Sequence, residues 1–337
     1  MSLPRRALGG SGLEITTVGF GSWAVGGGGW SHGWGAQDDD ASLDAIQHAV
    51  DLGVNWIDTA AIYGLGHAEE VVGRAVRALP AADRPLVFTK CGLVWDQADR
   101  LKEARQVVTA KTVRDGIEAS LRRLRMDYVD LFQIHWPDDE GNPIEDAWAE
   151  MVKLRDEGKA LAVGVSNFDL DMLERCEAIG HVDSVQPPFS LIERSAGREL
   201  IPWAHRHATG VICYSPMESG ILTGSFGPER VAAMDAGDWR RTAGEFVEPK
   251  LGRNLSLRDA LRPIARRHDA SVSAVAIAWV LAWHGVTGAI VGARSPKQVD
   301  GWIGAPNVSL TEDDLAEIAA AVEQTGAGKG PAVPRRS

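Results

Sequence analysis

Cysteine is scarce in this chain. Cys91, Cys176 and Cys213 are its three thiols, far apart in sequence and without a CxxC spacing. That excludes a disulfide framework and offers no zinc-ligand pattern, so no metal is expected. Cys91 and Cys213 fall in strand-like runs, where a free thiol most often packs as a small hydrophobe. Long hydrophobic runs are missing as well. No segment reaches the roughly 18 apolar residues of a membrane span. The opening MSLPRRALGGSGLEI has no apolar stretch after its arginines. A cytoplasmic protein without membrane contact is expected. Positive charge is in deficit: 46 acidic against 35 basic residues give a net charge of −11. Such a surface repels a nucleic-acid backbone, while leaving room for a local pocket that takes one small phosphate. A glycine fingerprint is also lacking, because GGGGW at 26–30 has no GxGxxG spacing and leads into a long loop.

What the chain does have is an alternation of strand-like and helix-like runs. Apolar runs stand at 16–23, 54–60, 85–91, 128–136, 160–167, 183–189, 210–216 and 288–293. They are near-continuous in Val, Ile and Leu, the pattern of parallel strands buried on both faces. Between them, segments such as 42–53, 67–79, 109–124, 144–158 and 170–180 carry apolar residues three and four apart. Unbroken alternation with right-handed crossovers closes into one (β/α)8 TIM barrel, expected over residues 1–325. The length of 337 residues suits a barrel with insertions. An N-terminal β-hairpin (RALGGSGLEI) is expected to plug the barrel bottom, and the Gly/Pro-rich tail 326–337 to be disordered. Two loops exceed the usual length, at about 24–40 and 217–255. Both follow strands and should overhang the rim where such barrels carry their chemistry.

Four polar residues mark that rim. Asp58, Lys90 and His135 end three of the strand-like runs, and Tyr63 follows Asp58 by a short loop. An acid, a phenol, an ammonium and an imidazole can together assemble a proton donor for a carbonyl oxygen. A nearby ammonium favours the phenolate, so Lys90 is expected to ease loss of the Tyr63 proton. Asp58 would hold Lys90, and His135 would orient the carbonyl. The natural nucleophile for such a set is hydride from a nicotinamide. A Schiff-base lyase built on Lys90, or a nucleotide-holding regulatory subunit with slow turnover, uses some of the same residues.

The segments IDTAAIYGLGHAEEVVGRA, FTKCG and DLFQIHWP resemble the aldo-keto reductases, a family of (β/α)8 oxidoreductases, from about Arg6 to Ile318. The resemblance implies Asp58, Tyr63, Lys90 and His135 as the catalytic tetrad, with Tyr63 the proton donor. It implies NADP(H) as cofactor ahead of NAD(H), with Ser166, Asn167 and Gln186 on the nicotinamide carboxamide and Tyr214 stacked on the ring. Gly21 and Trp23 match the loop beside the ribose and substrate. Backbone approach to the pyrophosphate would come from Ser215, Gly220 and Leu222. Gly292, Arg294, Ser295 and Gln298 complete the phosphate end, where barrels recurrently bind phosphate. Arg294 is the candidate for the adenosine 2′-phosphate, with Lys297 a second. The chain departs from the family in two places: Trp302 stands where Asn is common, and Pro187 and Pro188 follow Gln186. Trp302 either stacks on adenine or simply packs. The expected substrate is a small carbonyl compound, sugar-like, a ring ketone or an aromatic aldehyde, against walls from Trp23, Trp30, Trp34, Trp95 and Trp136.

Overall fold

Strands Val18–Gly21, Trp56–Asp58, Leu86–Cys91, Val129–Ile134, Ala160–Ser166, Ser184–Gln186, Gly210–Cys213 and Gly288–Gly292 pair in chain order, all parallel, and close into an eight-stranded barrel. Closure is made by the eighth strand against the first, from Ala289 opposite Val18 to Gly292 opposite Gly21. The structure is a computed structural model and describes residues 2–334.

Side chains alternate across each strand, which decides what the barrel holds. Trp56, Phe88, Leu131, Ala162, Ile212 and Ile290 fill the interior, joined from below by Leu8 and Ile15. Those two belong to the antiparallel hairpin Arg5–Ala7 and Glu14–Thr16, which seals the bottom. Trp56 fits only because its neighbour is glycine. A Cβ on Gly19 would stand 2.1 Å from the indole ring. Two residues beyond Trp56, Phe88 and Leu131 the interior turns polar, at Asp58, Lys90 and Gln133, joined by Gln186 from the sixth strand, all buried. The larger apolar layer lies between the strands and the helices.

The helices are α1 (Asp39–Asp51), α2 (His67–Ala78), α3 (Ala110–Leu124), α4 (Ile144–Asp156), α5 (Leu170–Glu177), α6 (Leu200–Arg206), α7 (Pro228–Ala232), α8 (Lys250–Ala260), α9 (Arg262–Arg267), α10 (Val272–Leu281), α11 (Pro296–Asp300) and α12 (Glu312–Thr325). Helix α1 starts earlier than its apolar period indicates, because the Asp38 carboxylate accepts the Ala41 N–H at 2.8 Å and caps it. Thr109 caps α3 in a reciprocal box with Thr112. None of the helices described is long and apolar enough to cross a membrane.

Three expectations need correction. The loop expected over 217–255 ends sooner and is partly ordered: it carries α7, three 3₁₀ turns and the start of α8 at Lys250. The sixth strand stops at Gln186, since the prolines that follow cannot donate to a ladder. Their direction is kept all the same, because the Pro187 carbonyl accepts the Tyr214 N–H and Phe189 N–H returns to the Tyr214 carbonyl, both at 3.1 Å. Finally, 326–334 is placed against the loop after the sixth strand; the remainder of the expected disordered tail, 335–337, lies outside the described residues. The buried Arg194 guanidinium donates to the carbonyls of Ala327 and Gly330, each at 3.2 Å. Glycine permits the approach: a Cβ on Gly328 would lie 1.9 Å from the Ile192 carbonyl. A Gly-rich composition here serves close packing rather than freedom.

Candidate active site

The four rim residues meet. Asp58 ends the second strand and Lys90 stands one place before the end of the third, both at inward-facing positions. Lys90 Nζ donates to Asp58 Oδ1 at 2.5 Å, to the Thr59 carbonyl at 2.9 Å and toward the Tyr63 hydroxyl at 3.5 Å. Its side chain has no exposed surface, and that of Asp58 is 3 % exposed. Tyr63 opens a 3₁₀ turn that reverses at Gly64, φ 64°. A Cβ there would sit 2.5 Å from the Gly26 carbonyl, so the turn nests in the loop after the first strand only with glycine. The His135 ring stands edge-on to the Tyr63 ring at 5.7 Å.

Burial dominates the electrostatics of this group. It pushes the Asp58 carboxyl up and the Lys90 ammonium down, each opposed by attraction to the other. His135 is driven well below its usual range by burial and then by the Lys90 charge, so the imidazole is neutral at pH 7. The Tyr63 phenol is raised well above 10, first by burial, then by the Asp58 carboxylate and Tyr214. The Lys90 ammonium is held by Asp58, within 3.5 Å of the Tyr63 hydroxyl, and burial favours the protonated phenol. The arrangement can offer a proton from a phenol and a hydrogen bond from a neutral imidazole to one oxygen.

Asp58, Tyr63 and His135 line a cleft of about 740 Å³ that continues past Ser166, Asn167, Gln186 and Tyr214 to Ser215, Gly220, Gly292, Arg294, Gln298 and Trp302. Gly21 and Trp23 line it as well. Along its middle the polar groups hold one another. Gln186 Nε2 donates to Asp58 Oδ2 at 3.0 Å, Ser166 Oγ to the Gln186 carbonyl at 2.8 Å, and Tyr214 OH to Asn167 Oδ1 at 2.8 Å. Asn167 in turn donates to the His135 carbonyl at 3.0 Å, which ties the middle of the cleft to the tetrad.

Four of the expected residues stand apart from the cleft lining, Lys90 because it lies fully buried beneath Asp58 and Tyr63. Leu222 is fully buried and its N–H is spent on the Met217 carbonyl at 3.1 Å. Ser295 is the residue that precedes α11, and the alternative phosphate residue Lys297 is exposed within that helix. Trp95 packs behind the wall, against the Trp30, Ala60 and Ile62 cluster. Trp30, Trp34 and Trp136 do face the cleft. Trp302 is buried, lines the far end, and keeps an indole N–H without a partner.

Sequence reasoning missed the contacts between loops, which no local period reveals. Residues 24–38 form a strap over the cleft. On one side His32 pairs with Glu103 at 2.8 Å. On the other, Trp34 packs edge-on to Trp239 at 5.9 Å, and Trp239 stacks on Trp23 at 5.2 Å. Arg294 anchors the strap: Nε donates to Gln37 Oε1 at 2.5 Å, Nη1 to the Trp34 carbonyl at 3.2 Å, and Nη2 to the Ala36 carbonyl. Leu93, Gln106, Phe226, Arg230 and Arg240 also line the cleft and come from segments with no motif of their own, and Ile62 joins them from beside Tyr63.

Known proteins resemble this chain along nearly its whole length. YhdN of Bacillus subtilis (strain 168), an aldo-keto reductase, is 34% identical over 316 residues, covering 94% of this chain and 92% of the relative. The NADH-specific methylglyoxal reductase of Escherichia coli (strain K12) is 30% identical over 329 residues, covering 94% and 98%. Among solved structures, the glycerol dehydrogenase AKR11B4 from Gluconobacter oxydans superposes with a TM-score of 0.84 at 34% identity, covering 97% of this chain and 96% of that one. The aldo-keto reductase AKR11C1 from Bacillus halodurans shares the fold, with a TM-score of 0.76 at 22% identity and coverage of 95% and 96%. Residues 17–323 match the Aldo/keto reductase family, from just before the first strand into α12. The chain belongs to that family, and is an oxidoreductase of small carbonyl compounds that works with a nicotinamide cofactor.

Proposed function

We propose that this protein reduces an aldehyde or ketone to the alcohol, reversibly, using NADPH and taking the proton from Tyr63. The observation that carries the reading is the buried Asp58–Lys90 pair beside a protonated Tyr63 and a neutral His135, at one end of a long cleft. The residues present fit a nicotinamide dinucleotide. The cleft is within the range of ligand sites, amides and a tyrosine ring line its middle, and the unpartnered Trp302 N–H waits at its far end for an acceptor. The nicotinamide, when bound, supplies the hydride.

Each residue then has one task. His135 donates to the carbonyl oxygen and orients it. Tyr63 is too weak an acid to ionise alone, so its proton moves only as negative charge develops on that oxygen. Lys90 stabilises the phenolate left behind, and Asp58 holds Lys90 in place while keeping it charged. Such acid assistance supplies about 10²–10⁴ in rate. A Schiff base at Lys90 is disfavoured, because Nζ is fully buried and its donors point to Asp58, Thr59 and Tyr63.

On the substrate side, Trp23, Trp30, Trp136, Ile62 and Leu93 give apolar walls, while His32, Glu103 and Gln106 give a polar edge. This suits a small oxygenated carbonyl better than a hydrocarbon one. That a glycerol dehydrogenase and a methylglyoxal reductase are among the similar proteins favours the same choice.

The test is a tryptophan-fluorescence titration with NADPH and, separately, NADH, followed by carbonyl-dependent oxidation of whichever binds. NADPH is expected to bind more tightly, and Tyr63→Phe to abolish turnover while leaving cofactor affinity within about twofold. Binding of neither dinucleotide overturns the reading. Preference for NADH, the cofactor in the E. coli relative's name, would overturn its NADPH part alone.

A further inference from the structure

Three arginines face the cleft, and their partners separate them. Arg294 has all three guanidinium nitrogens committed to the strap, on Gln37, Trp34 and Ala36. Arg240 is buried and neutralised. It makes a two-point pair with Asp238, at 2.9 and 2.5 Å, donates to the Ser219 carbonyl at 3.2 Å, and lies 4.3 Å from the Trp34 ring centroid. Arg230, exposed on α7, is different. Its guanidinium carbon stands 5.8 Å from the Phe226 ring, and among the described residues no carboxylate pairs with it.

We propose that Arg230, and not Arg294, reads the 2′-phosphate of NADPH and sets the preference between the two dinucleotides. The proposal rests on the nicotinamide cofactor put forward above. A phosphate monoester carries about −1.5 to −2 charges at neutral pH, and guanidinium meets it with two parallel donors. Using Arg294 for that task means breaking the bonds that hold the strap down. Using Arg240 means stripping it from Asp238 in a buried place. Arg230 gives up no ion pair, its fork is planar by its own delocalisation, and the Phe226 face holds it near the cleft. The three guanidinium groups also converge on one end. Arg294 feels Arg240 and Arg230 as like charges, and an anion placed among them relieves that repulsion. Asp238 compensates one of the three, so the site stays net positive within an acidic protein.

The assignment divides the work. Arg294 becomes a positioning residue whose loss loosens the strap whichever dinucleotide is present. The test is titration of the full-length wild-type protein, Arg230→Ala and Arg294→Ala with NADPH and with NADH at one ionic strength. Arg230→Ala should weaken NADPH by about tenfold or more, the range for a hydrogen bond to a charged group, and NADH by less than twofold. Arg294→Ala should weaken both to a similar degree and speed proteolysis between Gly26 and Gly35. An unchanged NADPH affinity in Arg230→Ala overturns the proposal. So does an equal loss for both dinucleotides, which would put Arg230 on the shared pyrophosphate. A loss confined to NADPH in Arg294→Ala overturns it as well. If the wild-type protein binds neither, the cofactor reading itself has failed and takes this one with it.

Discussion

Among the described residues Lys90 and Asp58 form an ion pair with each other alone in the barrel interior, so removing one tests both. In Lys90→Met the carboxyl is left without its cation. Burial already pushes that group toward its neutral form, and it would take up a proton rather than unfold the barrel. We expect Lys90→Met to melt cooperatively, as followed by circular dichroism, while turnover falls by about 10²-fold or more. Near-normal turnover would remove Lys90 from the mechanism. Glu218 offers a second test at this scale. It sits at φ 47° in the turn after the seventh strand, and its Oε2 accepts from Ser190 at 2.7 Å. Burial, then Glu245 and Glu193, push its carboxyl from 4.5 up to about 7. A raised acid favours the neutral form in the fold. The stability it gives is complete below about 4.5 and is lost as pH rises through about 7. Glu218→Gln should therefore gain about 1–3 kcal/mol on the wild type at pH 8 and little at pH 4. Equal differences in Tm at both values would assign that pH dependence elsewhere.

At the level of elements, what was legible in the sequence follows from what repeats. The eight strands and the first five helices announce themselves through apolar period, and Asp58, Lys90 and His135 through their place at strand ends, with Tyr63 one short loop beyond. Boundaries depended on caps, as Asp38 shows for α1. Contacts between loops were out of reach. Nothing local in GGGGWSHGWGAQ says that Arg294, 257 positions from Gln37, holds it down. Nor does a Gly-rich tail disclose that Arg194 will clamp it. One tight element contact was also silent in the sequence, the seat of Trp56 on Gly19. Gly19→Ala forces the ring or the strand to shift, because the added carbon has no room. Overpacking of this kind costs about 1–3 kcal/mol, and a chemical-denaturation midpoint should show it. A midpoint unchanged from wild type would mean that the barrel floor can relax.

Taken whole, the molecule is one barrel with unequal ends. Its lower end is closed by Leu8, Ile15 and Trp56, while the strap and the loop carrying Arg230 lie over the upper one. The cleft therefore belongs to one end of the barrel only, and changes beneath it, at Leu8, Ile15 or Trp56, bear on how firmly the barrel stands while changes above it bear on what the barrel holds.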